Sequence, residues 1–139
     1  MTEEYLPIVK LVYRADCTPR DVLRCFYGLS STDLNAFMTL LKLRDEGWVP
    51  AEKYAEFVDL SPSSAQRLLR KLITLGLANR QKVKGDKNQR PYRYEYKATS
   101  ILEIITRLNQ VLTDMNSKLG KFLEDPTLWE NAFFQNLEF

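Results

Sequence analysis

SPSSAQRLLRKLITLGLANRQKVKGDKNQRPYRYEYK, residues 61–97, sets the fold of this chain. Its first half carries the marks of a helix. Ser61 can accept hydrogen bonds from free backbone N–H groups, and Pro62 suits the first helical position because its missing N–H had no partner there. Ala65, Leu68, Leu69, Leu72 and Ile73 recur at helical spacing and make one apolar face. Ser63, Gln66, Arg67, Arg70 and Lys71 fall elsewhere on the helix, where water or a polyanion would be. Gly76 stops the helix by taking the left-handed conformation that a C-terminal cap favours. Two strand-like segments follow, 77–84 and 90–97, joined by Gly-Asp-Lys-Asn-Gln, with Gly85-Asp86 as a turn dipeptide. Tyr92, Tyr94 and Tyr96 alternate with Arg93, Glu95 and Lys97 on the returning strand, which puts the tyrosines on one face, expected to pack on the helices, with stacking on single-stranded bases as the lesser alternative.

Helix followed by basic hairpin is the arrangement of a recognition helix and a wing. Charge points the same way. Ten basic residues against Asp86 and Glu95 give this stretch a net +8, while the whole chain is only +2, leaving −6 for the rest. Positive charge concentrated in one stretch is the electrostatic footprint of nucleic-acid binding.

Upstream, Asp59–Leu60–Ser61 turns into the helix just described from an earlier one. That earlier helix starts at Pro50 and carries Ala51, Ala55 and Val58 inward, with Tyr54 at its flank. Helix, tight turn and capped helix form a helix-turn-helix, although this turn lacks a glycine. Before it, Ser30 and Asp33 have the spacing of a capping box. Leu34, Phe37, Met38 and Leu41 then mark an amphipathic helix running to about Glu46. Trp48–Val49 suits a single short strand pairing with the hairpin. Thr18 and Pro19 open a short helix that bears Val22, Leu23 and Phe26 and ends at Gly28. Residues 3–14, around Pro7, fit neither period and are expected to be an extended arm packing on a neighbour.

Downstream, Ile101, Ile105, Leu108, Leu112, Met115, Leu119 and Phe122 are spaced 4, 3, 4, 3, 4, 3, a seven-residue repeat over about three heptads. So long a helix cannot bury that seam against so small a domain, so a second copy is the expected partner. The pattern leaves parallel and antiparallel pairing open. Ile104 and Val111 widen the stripe, as they would where the helix touches its own domain. Asp125–Pro126 stops the helix. The tail from Thr127 to the end, with Trp129, Phe133, Phe134 and Phe139, is too apolar for a free solvated end. It is expected to be a short helix folding back on the dimer or the N-terminal arm. A second protein docking there is the sharper alternative.

The expected architecture is therefore mainly α with a small β-hairpin wing. It comprises an N-terminal arm and short helix (1–28), a winged helix-turn-helix domain (29–97), a dimerisation helix (98–124) and an aromatic tail (125–139). The 139 residues are 45% hydrophobic, enough for a core, and contain no His and no Gly-rich phosphate loop, which argues against catalysis. No cofactor or metal is expected, because Cys17 and Cys25 lack the paired spacing of a zinc site. No apolar run approaches the roughly 20 residues that cross a bilayer. The start MTEEYLPIVKLVYRAD is not a secretory signal, so a cytoplasmic protein is expected.

With these residues in view the chain resembles small archaeal winged-helix regulators of the TrmB-like and MarR-like group. The likeness runs from about Phe26 to Leu112: GLSSTDLNAFMTLL, then PAEKYAEFVDLSPSSAQRLLRKLITLGLANR, a basic wing, and RPYRYEY leading into a long helix. LRKLITLGLANR is similar to the family's ending of the recognition helix, with Ala78 where valine is commoner. The resemblance implies a homodimer on double-stranded DNA. Ser63, Ser64, Gln66, Arg67 and Arg70 would face DNA from the helix, with Lys71 beside them, and Lys84, Lys87, Gln89 and Arg90 from the wing. TrmB-type sugar regulators carry a large C-terminal ligand domain that these residues do not contain, which weighs against a sugar effector. The other class these residues allow is a winged-helix protein-interaction module of a transcription complex.

Overall fold

The computed structural model describes residues 8–85 and 92–134. The wing-tip positions Lys87, Gln89 and Arg90 lie outside the described residues, as do the first seven residues and the last five. The chain divides into two compact units, Met1–Thr99 and Ser100–Phe139.

Caps start and stop the helices of the first unit. A short helix α1 (Ile8–Val12) packs on α2 (Pro19–Tyr27), so the expected extended arm is helical over those five residues. Thr18 and Ser30 build capping boxes with Asp21 and Asp33, opening α2 and α3 (Ser31–Leu43). In each, the hydroxyl and the acid satisfy backbone N–H groups that a helix start leaves free. A 3-10 turn, Arg44–Glu46, leads to strand β1 (Val49–Pro50) and helix α4 (Ala51–Val58). Ser61 caps α5 (Pro62–Thr74), whose first residue is Pro62. Gly76, at φ 79°, ends α5, and Leu77 N–H closes back to the Leu72 carbonyl at 2.8 Å.

The turn without a glycine is built on Asp59, which adopts the left-handed conformation (φ 54°, ψ 49°) at the end of α4. Asp is among the few residues with a side chain that visit this region readily. Leu60 N–H then reaches the Ala55 carbonyl at 3.1 Å, the closure that glycine usually provides.

Strands β2 (Ala78–Lys84) and β3 (Tyr92–Ala98) pair antiparallel, and β1 joins the other edge of β3 through Val49 opposite Tyr96, giving the order β1-β3-β2. Helices α3, α4 and α5 close over one core containing Phe37, Leu40, Tyr54, Leu69, Leu72 and Leu77, each almost fully buried. Three expectations change here. The deep face of α3 is Ala36, Phe37, Leu40 and Leu43, while Leu34, Met38 and Leu41 are half-buried, because this helix is apolar on two sides. Its α-helical part ends at Leu43, and the 3-10 turn carries the chain to Glu46. Tyr54 is not at a flank: it is wholly buried and donates its hydroxyl to the Ala36 carbonyl at 2.7 Å. Burial pushes its phenol well above the ordinary range.

In the second unit α6 (Ile101–Glu124) starts at a Ser100 cap, and only Ile104 is buried among its residues. Helix α7 (Pro126–Phe134) folds back on the end of α6 of its own chain. Trp129 Nε1 donates to the Phe122 carbonyl at 2.9 Å, and its ring meets Phe122 edge-on and stacks with Phe133.

Candidate nucleic-acid interface

The α4–α5 pair and the hairpin present three of the six predicted cations at the surface. Arg67 and Arg70 project from α5 into solvent, as does Lys84 at the end of β2. None of the three has an acidic partner among the described residues. Ser63 and Ser64 lie at the helix start in a hydroxyl cluster. Ser61 Oγ donates to Ser64 Oγ at 3.0 Å and lies 3.3 Å from Ser63 Oγ. Gln66 is half-buried in a cleft of about 150 Å³ between α4, α5 and the wing, shared with Glu52, Tyr92, Tyr94 and Tyr96.

Lys71 goes elsewhere. Its ammonium pairs with Asp33, whose carboxylate is buried and also accepts from the Ser30 backbone N–H at 3.0 Å. Burial alone would push the Asp33 carboxyl up. The Lys71 ammonium and the hydrogen bonds from Ser30 outweigh it and hold the carboxyl below its ordinary range. Lys71 therefore ties α5 to the start of α3, and its charge is already matched within the chain.

The hairpin supplies two cations that reading the sequence passed over. Pairing sets Arg80 opposite Tyr96, Lys82 opposite Tyr94 and Lys84 opposite Tyr92, so all six side chains share one face. The Arg80 guanidinium lies over the Tyr94 ring and the Lys82 ammonium over Tyr92, each 4.4 Å from the ring centre. Tyr92 and Tyr94 meet edge-to-face. Such contacts contribute roughly 0.5–1 kcal/mol each at exposed sites and hold a cation without neutralising it. Burial raises the Tyr96 phenol, while Arg80 and Arg70 charges pull it down, which places helix and wing cations around the same ring. The signal was present: Arg80, Lys82 and Lys84 alternate with period two, which assigns them to one strand face.

The arrangement can hold a polyanion by spaced, unneutralised cations. Among the described residues no cluster of Cys, Asp and Glu is placed to hold a metal ion, and no helix is long and apolar enough to cross a membrane.

A three-helix core, a two-residue strand, a wing and a cation-bearing second helix define the winged helix-turn-helix class. Solved structures place the fold there as well. A possible transcriptional regulator from Methanosarcina mazei superposes with a TM-score of 0.62 over 81% of this chain and 93% of its own, at 24% identity. The ST1889 protein of the thermoacidophilic archaeon Sulfolobus tokodaii superposes with 0.51 over 71% and 90%, at 23% identity. An uncharacterized protein of Methanocaldococcus jannaschii, MJ1082, is 29% identical over 106 residues, which is 76% of this chain and 83% of that protein. Residues 23–101 match the family described as sugar-specific transcriptional regulator TrmB, and the chain belongs to that family of transcription regulators.

Proposed function

We propose that the protein is a homodimeric regulator that binds specific sequences of duplex DNA through α5 and the wing. The observation that carries this is the shared face on which Arg80, Lys82 and Lys84 stand with the wing tyrosines, adjoining α5 with Arg67 and Arg70. Lysine and arginine contacts to phosphate supply most of the affinity, through release of condensed counterions. Helix α5 enters the major groove, where an arginine pairs with the O6 and N7 edge of guanine. Arg67, exposed on α5, is the first candidate reader, ahead of Gln66, which shares the cleft beside the wing. Arg80 and Lys82 join Lys84 as phosphate contacts, and Lys71, held by Asp33, leaves the set. The exposed seam of α6, with Ile105, Leu112, Met115 and Leu119 all about half exposed, supports the second copy.

Fluorescence anisotropy with genomic duplex fragments over a salt series tests the reading. Arg67→Ala is expected to cost on the order of 1–3 kcal/mol and to relax sequence preference. Arg80→Ala with Lys82→Ala is expected to weaken all sequences alike and to flatten the salt slope by about 2. Absence of binding at low salt would refute it.

A further inference from the structure

We infer, on the homodimer proposed above, that the two α6 helices pair antiparallel, in the register that sets Leu102 against Leu123 of the second copy. Two core rows make the seam: Ile105, Leu112 and Leu119 in one, Ile101, Leu108, Met115 and Phe122 in the other. Beside them run two flanks. One holds Leu102, Asn109, Asn116 and Leu123, and the other Ile104, Val111 and Lys118.

Orientation decides what each flank meets. With a two-fold axis along the helices, one flank of each copy faces the other flank of its partner. Asn116 would then meet Val111, and Leu123 would meet Lys118, apolar against polar at both steps, while Ile104 is already buried within its own chain. With the axis perpendicular to the helices, the first flank faces itself. Leu102 meets Leu123, and Asn109 meets Asn116, each contact occurring twice by symmetry. On the second flank Val111 against Lys118 remains mixed, where the lysine stem can cover apolar surface, and Ile104, which falls opposite Asp125, is buried within its own chain. Leu102 and Leu123 are 76% and 72% exposed, the highest values among the apolar residues of α6, so both have surface to cover.

The fold of the tail agrees with this. Leu119 and Phe122 on α6 and Leu128, Trp129, Ala132 and Phe133 line an apolar groove of about 360 Å³. At the far end of the same helix Ile101, Leu102 and Ile105 are all exposed. Antiparallel pairing delivers those three side chains of one copy to the groove of the other, twice. Parallel pairing would set groove beside groove and leave the helix starts facing each other.

The orientation also sets the distance between the two α6 starts. Helix α6 has 24 residues, so antiparallel copies hold their helix starts roughly 36 Å apart.

Pulsed dipolar spectroscopy of the full chain, with Cys17→Ser and Cys25→Ser and a nitroxide at Leu102→Cys or at Leu123→Cys, tests the orientation. Each variant alone is expected to give a distance of roughly 32 Å, and their equimolar mixture adds one under about 20 Å. Glu103→Cys and Glu124→Cys, outside the apolar stripe, repeat the comparison without touching packing residues, again with the shorter distance in the mixture. Short distances in each variant alone and a long one in the mixture would overturn the antiparallel pairing while leaving the homodimer intact. No dipolar signal at either pair of positions, with a monomer in sedimentation of the unsubstituted chain, would overturn the homodimer as well.

Discussion

In Met1–Thr99 the apolar residues of α3, α4 and α5 close over one another, and what faces outward from α5 and the wing is charge. In Ser100–Phe139 the apolar stripe itself faces outward, and only Ile104 of α6 is buried. Both units use well-capped helices, so the difference lies in what their surfaces require. The first has a finished core and a cationic face suited to a polyanion. The second has a seam whose burial would stabilise it only through a partner, because an exposed helix contributes little hydrophobic free energy by itself.

Substitutions in the two units should separate these roles. The largest effect belongs to Leu69→Ala, which opens a cavity in a fully buried position of α5. It is expected to lower unfolding free energy by about 2–5 kcal/mol in denaturant titration. A similar change in α6 is expected to act on the proposed association instead. Leu112→Lys places a charge in the seam at a half-exposed site and is expected to weaken dimerisation by about 2–3 kcal/mol in sedimentation equilibrium. The circular dichroism of the first unit should be unchanged. If Leu112→Lys unfolds the chain as Leu69→Ala does, the contrast between the units is wrong.

Asp33→Asn comes next. It removes the carboxylate from the Lys71 pair and the capping box, and is expected to cost roughly 1–2 kcal/mol at neutral pH. The folded carboxyl is held below its ordinary range, so its stabilisation is present above the unfolded value of about 3.9 and disappears as pH falls through the folded value. Wild type and Asp33→Asn should therefore converge in strong acid, and a gap of constant size down to pH 2 would contradict the assignment. The smallest effect is at the turn. Asp59→Gly keeps the left-handed conformation and should stay within about 0.5 kcal/mol of wild type, whereas Asp59→Val is expected to lose about 1–2 kcal/mol.

Much of the fold was legible because it rests on local signals. Thr18, Ser30, Ser61 and Ser100 each cap a helix, and Gly28 and Gly76 end two. These interactions span a few residues and leave a mark in the sequence at the same spacing. The α5 stripe likewise survives folding: Ala65, Leu69 and Leu72 are buried as their period implies. What escaped depends on distant partners. Nothing near Lys71 says that its ammonium will meet Asp33, 38 residues away. Tyr54 shows no local sign that its hydroxyl has a carbonyl waiting on α3. Helix α1, only five residues long, is too short to display a period. Arg80 and Lys82 differ, since their alternation was visible, but only pairing with β3 revealed the tyrosines beneath them.

Selection of bound duplexes from a random DNA pool by the full chain tests the central claim most directly. Enrichment of a motif with two-fold symmetry, its half-sites about one helical turn apart or a multiple of it, is the result predicted for two α5 readers joined through α6. A pool that remains unenriched at low salt, or a motif without internal symmetry, would contradict it.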